Sequence, residues 1–306
     1  MATRWWPVHA LASRPTHVHP TAARLYAIAL PASLRTMAAL ATAPALDLVY
    51  WPVRALAEPI RLTLAYGKVP FKSTPPTDFF GAGWGAGGKD KATFGQLPAL
   101  GIGGDGATVL AQAPAIARYC AELAGIAGAD VLARARADEV SAAGDELRPV
   151  NRIVNVYVAR VLLLLCSRCA APPLLPLRTS NSSSPAAPLR DRDAQFEKGK
   201  AEYFADCLPR RLKNLSRYLG DKPFFTGDKI CYGDFNVWHH LDNSRTLEPT
   251  CLAAYPNIVA WMSRIEALDG VKEYLATRPT AVGIGTKPML EGFVPSPTAL
   301  SADIKS

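Results

Sequence analysis

YWPVRALAEPIR, Tyr50 to Arg61, decides how this chain reads. It opens in a short apolar strand, LDLVYW from Leu46 to Trp51, so Tyr50 stands where a strand ends and a helix is about to begin. Pro59 falls in the first turns of the expected helix Ala55–Tyr66, where a missing N–H costs nothing, and Gly67 marks its stop. A second stretch, FGQLPAL, Phe94 to Leu100, sets a Leu-Pro step in front of another strand.

Working outward, residues 46–127 read as a small α/β unit. Val69–Lys72 is expected as a short strand. Gly81–Gly88 is too glycine-rich for regular structure. Leu97–Ile102 and Thr108–Ala111 are strands joined by the turn GGDG, and Ala113–Ala124 is a helix with Ile116, Tyr119, Cys120 and Leu123 at helical spacing. Residues 128–285 read as all helix, with periodic segments Ala133–Tyr157, Asp193–Leu219, Tyr232–Leu241 and Ile258–Leu275. A Pro-, Ser- and Leu-rich insert interrupts them at about 160–192. Residues 286–306 read as a tail. Residues 1–45 are free of acids and rich in Ala, Arg, Ser, Thr and Pro, which is the composition of an organelle transit peptide or of an extension upstream of a start at Met37.

Composition excludes several functions. No apolar run approaches a membrane span, the longest candidate being Val161–Cys166. The formal charge of +8 suggests nucleic acid, but Arg4, Arg14, Arg24, Arg35, Arg168, Arg178 and Arg190 sit in the leader and the insert. Taking those seven away leaves +1, so no basic footprint is expected on the folded surface. Six cysteines in a chain this long suit a reducing compartment. Cys166 and Cys169 supply only half a zinc site. GWGAGGKD, Gly83–Asp90, nearly spells a phosphate loop, but Asp90 replaces the hydroxyl that binds magnesium, no apolar strand precedes it and no amphipathic helix follows it. His239 and His240 are adjacent, so they point to different faces of a helix and are not expected to chelate a metal.

Arg54, Ala57, Glu58, Pro59 and Arg61 after Tyr50, with FGQLPAL downstream, resemble the tyrosine-type glutathione S-transferases of the sigma and mu classes. The resemblance covers Leu46 to about Pro279 apart from the insert. It implies a thioredoxin-like N-terminal domain with a mixed sheet and a cis-proline, an all-α C-terminal domain, and a homodimer. It also implies glutathione as cosubstrate, with no permanently bound cofactor, and a small hydrophobic electrophile as the second substrate. The resemblance assigns residues too. Tyr50 donates a hydrogen bond to the glutathione sulfur. Leu97, before cis Pro98, pairs its backbone with the cysteinyl unit. Gln112 and Ala113 stand where the family places Gln-Ser for the γ-glutamyl group, so the serine hydroxyl is missing. Trp84, Lys89 and Gln96 fall at glutathione-facing positions, and Asp145 aligns with an acid that reaches the partner subunit's glutathione. Leu56 stands where many sigma-like members carry arginine.

Such a donor matters because a thiol of pKa about 8.5 is mostly protonated at neutral pH, so a hydrogen bond that favours the anion enlarges the nucleophilic population. With Pro114 at the first helical position, Ala113 is expected at the cap, where alanine is a poor residue. GDKICYGDF, Gly227–Phe235, resembles the family's capping box, with Cys231 as cap, Asp234 bonding back to it, and Ile230 and Phe235 as the hydrophobic staple. The expected activity is glutathione transfer. The alternative is a non-catalytic ligand-binding or structural protein on the same fold. The expected compartment is the cytoplasm, or a plastid or mitochondrion if the leader is a transit peptide.

Overall fold

The computed structural model describes residues 44–104, 106, 108–150, 189–282 and 289–290, with side chains except at 189–195, 281–282 and 289–290. The leader and most of the insert lie outside the described residues.

Four strands form one sheet in the order β2-β1-β3-β4: β1 Leu46–Val49, β2 Lys72–Thr74, β3 Ala99–Ile102 and β4 Thr108–Ala111. β1 and β2 are parallel, joined by helix α1, Glu58–Tyr66, while β3 and β4 make an antiparallel hairpin beside β1. Alternation sorts the side chains between two faces. Leu46, Leu48 and Leu100 join the main core, whereas Val49 and Ala99 pack with Phe80 and Ala92 on the other side. Asp47 accepts a hydrogen bond from the Thr74 hydroxyl at 2.7 Å, which ties β2 to β1.

β2 begins where the strand expected over Val69–Lys72 ends, because Val69 is taken by the end of α1: its N–H donates to Leu64 O at 2.9 Å. Gly67 ends α1 for a different reason than the sequence suggests. Its φ is −71°, and Lys68, at φ 52°, makes the left-handed reversal. A Cβ on Gly67 would lie 2.5 Å from the Ala124 Cβ, so glycine is there for close approach. Helix α2, Pro76–Phe80, leads to the glycine-rich segment. That segment is not shapeless: Trp84–Gly88 forms one wide turn, broken at Ala86 and Gly87. β3 starts at Ala99, two residues later than expected, because Leu97–Pro98 is cis and turns the chain.

The longer helices that follow among the described residues are α3 Ala113–Leu123, α4 Val131–Asp145, α5 Leu189–Glu202, α6 Leu208–Leu219, α7 Tyr232–Leu247, α8 Pro256–Glu266 and α9 Val271–Thr277. α5 begins inside the stretch expected to be insert. α8 and α9 replace the single expected helix Ile258–Leu275. Gly270, at φ 79°, separates them, and a Cβ there would collide with the Ala65 carbonyl oxygen. Within the expected tail, Met289–Leu290 (β6) pairs with Ala281–Val282 (β5).

α7 is the central helix, buried from Tyr232 to Ser244. The capping box forms at its start. Asp234 accepts from the Cys231 N–H at 2.9 Å, and Cys231 receives the Asp234 N–H in return. Asp234 also accepts from the Phe225 N–H at 3.1 Å and from Trp261 Nε1 at 3.0 Å, so one carboxylate joins three segments of the core. α4 crosses α7 at two glycines, Gly144 and Gly233. α1 and α3 pack against each other and against α7, so a single apolar core runs from the sheet into the helical part.

Candidate active site

Register alone gathers most of the site. Val49 opposes Ala99, and Ala99 opposes Ala111. Tyr50 leaves β1, Leu97–Pro98 enters β3 and Gln112 leaves β4, all at one edge of the sheet. The Tyr50 N–H extends the β1–β2 ladder by one bond, to Thr74 O at 3.2 Å. Trp51 follows, its ring 5.9 Å from that of Trp84 in an edge-to-face contact, which brings the glycine-rich segment to the same edge.

Tyr50 is half-buried. Burial pushes its pKa above the usual 10, and the Leu56 backbone and Arg61 pull it back only in part. The phenol therefore keeps its proton at neutral pH and is a donor. It lines a cavity of about 350 Å³, within the range of small-molecule sites.

Gln112 caps α3, and Ala113 is its first residue. The expectation that Ala113 is the cap is thereby corrected. Proline is tolerated at the second position as well as the first, so Pro114 does not fix the count. Gln112 holds φ 71° and ψ 115°, and Ala55, at the start of the turn Ala55–Ala57, holds φ 32°. Non-glycine residues at positive φ are costly and cluster at functional sites. Both of these flank the Tyr50 edge. Ala55 was missed in the sequence, where nothing in VRAL signals its conformation.

Leu97 and Trp84 are half-buried, each packed against the cluster of Val49, Phe80, Ala92 and Ala99, and Pro98 is buried. Lys89 and Gln96 are exposed, and Lys89 lies along Gly95. Asp145, at the end of α4, accepts from Asn236 Nδ2 at 3.1 Å and pairs with Arg148 at 2.8 Å. With Leu56, Ala113 and His240 it lines a narrower cleft of about 30 Å³ between α1, α3, α4 and α7. Asn236, which orients Asp145, was not singled out in the sequence.

A buried ionic network, also missed, stands behind Tyr50. Glu58 accepts from Arg61 at 3.2 Å, Arg278 at 2.9 Å and Tyr274 at 3.1 Å. Burial alone would raise the Glu58 pKa, but Arg61, Arg278 and Arg54 outweigh it and hold the carboxyl below its usual range. Among the described residues, no group of three or more His, Cys, Asp or Glu residues is arranged to hold a metal ion. His239 and His240 are both buried, with ring centroids 5.1 Å apart.

The chain is similar to known proteins in sequence and in fold. Residues 183–278 match the family model for the glutathione S-transferase C-terminal domain. The class-mu 26 kDa isozyme 1 of Fasciola hepatica is 32% identical over 74% of this chain and 84% of its own length. Glutathione S-transferase Mu 1 of Mus musculus is 30% identical over 74% of this chain and 88% of its own. Among solved structures, rat hPGDS complexed with a quinoline aligns with TM-score 0.55 at 23% identity, over 78% of this chain and 98% of that one. The glutathione S-transferase from Ascaris lumbricoides aligns with TM-score 0.55 at 22% identity, over 78% and 98%. The two solved structures share the fold, and the two relatives place the chain: it belongs to the glutathione S-transferase family, on the mu-like side.

Proposed function

We propose that the protein is a glutathione transferase in which Tyr50 activates the thiol of bound glutathione for attack on small hydrophobic electrophiles. The observation that carries this is the meeting of Tyr50, cis Leu97–Pro98 and the α3 N-terminus at one sheet edge, beside a 350 Å³ cavity. Leu97 offers its backbone to the cysteinyl unit, and Gln112 with the first N–H groups of α3 seats the γ-glutamyl carboxylate. Trp84, Lys89 and Gln96 hold the glycyl end. Tyr50 favours the thiolate over the thiol without taking the proton itself. The sulfur then attacks an electrophilic carbon held beside it.

The working protein is a homodimer in which Asp145 reaches the partner subunit's glutathione amine. It binds no resident cofactor and no nucleic acid. Residues 46–127 form the glutathione-binding domain and 128–285 the helical domain. The protein acts in the cytoplasm, or in a plastid or mitochondrion if residues 1–45 direct import. No helix among the described residues is long and apolar enough to cross a membrane.

The test follows the absorbance of bound glutathione's thiolate against pH, in the wild type and in Tyr50→Phe, alongside conjugation of 1-chloro-2,4-dinitrobenzene. Thiolate that forms equally well in the variant would overturn the role of Tyr50. An absence of conjugate from the wild type would overturn the activity.

A further inference from the structure

The walls of the cavity beside Tyr50 carry one cation too many. Arg54, Arg61 and Arg278 line it together with Glu58. Arg61 is committed to Glu58 and, at 3.1 Å, to Val53 O. Arg278 bridges Glu58 at 2.9 Å and Asp242 at 3.0 Å. The other Asp242 oxygen accepts from Arg245, which also pairs with Glu266. Arg54 is left over. It stands 3.9 Å from Asp242 and 3.4 Å from Pro279 O, and its Nε has no partner among the described residues. Arg54, Arg61, Arg245 and Arg278 stand against Glu58, Asp242 and Glu266, one positive charge in excess.

The Arg54 side chain is only 13% exposed, so water does little to relieve that charge. Burying a charge whose nearest carboxylate, Asp242 at 3.9 Å, is already shared with Arg278 and Arg245 is costly, and such a group in a native structure calls for an explanation. Burial, and after it repulsion from Arg278, outweigh the pull of Glu58 and Asp242 and bring the Arg54 pKa down. A negative charge placed in the cavity would complete the network. The apolar walls, Trp51, Pro52 and Phe71, suit a flat ring.

We infer that the cavity selects aromatic electrophiles bearing a carboxylate, with Arg54 as the residue that recognises it. This rests on the reading of Tyr50 as the thiol-activating residue. With 4-chloro-3,5-dinitrobenzoate, the glutathione thiol gives its proton to solvent. The sulfur attacks the ring carbon that bears chlorine, a C–S bond forms, the C–Cl bond breaks, and chloride leaves with its electron pair. The carboxylate makes and breaks no bonds.

The experiment compares that substrate with its neutral carboxamide, and compares binding of the unreactive 3,5-dinitrobenzoate and 3,5-dinitrobenzamide by titration calorimetry. Glutathione is present at saturation, so its own carboxylates are already seated. In the wild type the benzoate binds about tenfold more tightly than the amide, and its kcat/KM, corrected for the uncatalysed rates, is favoured to a similar extent. In Arg54→Gln both ratios fall to near one, and Arg54→Lys, which keeps the charge and loses the fork, falls between. Equal affinities in the wild type, a comparison that needs no variant to fold, would overturn the inference. So would a preference that survives in Arg54→Gln. A benzoate preference without turnover of either chlorinated compound would sink the Tyr50 mechanism and leave the anion site standing.

Discussion

Val49 and Ala99 face each other across β1 and β3, and that pairing places Tyr50 beside the cis Leu97–Pro98 step. Each residue lies at the end of its strand, so the register of the strands sets the geometry of the site. A slip by one residue would turn Val49 from the Phe80 cluster toward the helices and carry Tyr50 away from the edge.

Tyr50→Phe tests the donor itself. Burial keeps the phenol protonated well above neutral pH, so it donates throughout the working range. A hydrogen bond to a charged acceptor is worth about 1.5–3 kcal/mol, which corresponds to about one to two pKa units on the bound thiol. The thiolate titration is expected to move up by that much, and turnover near neutral pH to fall about 100-fold. Glutathione binding, measured by calorimetry at a pH where the thiol is protonated in both proteins, should change little.

Ala113→Ser restores a hydroxyl at the first residue of α3. The position is half-buried beside Leu56, and the helix N-terminus is free to meet a carboxylate. One added hydrogen bond contributes about 1 kcal/mol, so glutathione should bind about fivefold more tightly. Calorimetry would read this directly, and unchanged affinity would place the γ-glutamyl group elsewhere. The capping correction sharpens the expectation: Gln112 is the cap, so serine at 113 would be spared from capping and available to ligand.

The fold was legible where local chemistry and pattern agree. LDLVYW reads as a strand and its first four residues form one, the Leu97–Pro98 step is cis as the family resemblance implies, and Cys231 with Asp234 starts a helix as read. The ionic network was not legible, because Glu58, Asp242 and Arg278 are far apart in sequence and ordinary where they stand. Glycine was read for its φ at Gly67, where the structure uses its missing side chain. The break at Gly270 hides inside an apolar periodicity that α8 and α9 both keep. Long-range charge pairing and close backbone approach leave no local signature, and both shape this site.

Gly233→Ala tests such an approach. A Cβ there would sit 2.6 Å from the Ser141 backbone nitrogen and 2.8 Å from the Ala137 carbonyl oxygen, both on α4. Backbone atoms cannot swing aside, so α4 and α7 must separate. Overpacking of this kind costs about 1–3 kcal/mol, and the upper end is expected because both helices are central. Urea unfolding would measure it. A loss below about 0.5 kcal/mol would mean that the helices part freely.

His240→Leu tests a pH dependence written into α7. His239 and His240 are buried, and neither His240 nitrogen has a partner among the described residues. Burial, aided by repulsion from Arg278, Arg54 and Arg61, takes His239 down to about 3. Burial and the neighbouring His239 take His240 well below its usual range. Both stay neutral in the folded protein at pH values where the unfolded chain, with histidine near pKa 6.5, takes up protons. Above that pKa neither state is charged and nothing is lost. As pH falls below it, protons favour the unfolded chain, and stability drops by about 2 kcal/mol per histidine between pH 7 and 5. The window lies above the range of Glu58, whose lowered pKa matters only in stronger acid. Urea midpoints at pH 7 and pH 5 should therefore show a loss about half as large in His240→Leu as in the wild type. Equal losses would mean that His240 protonates as readily folded as unfolded. At pH 7 the leucine variant is expected to be the more stable protein, because it removes two buried polar atoms that have no partner among the described residues and leaves a side chain of similar volume.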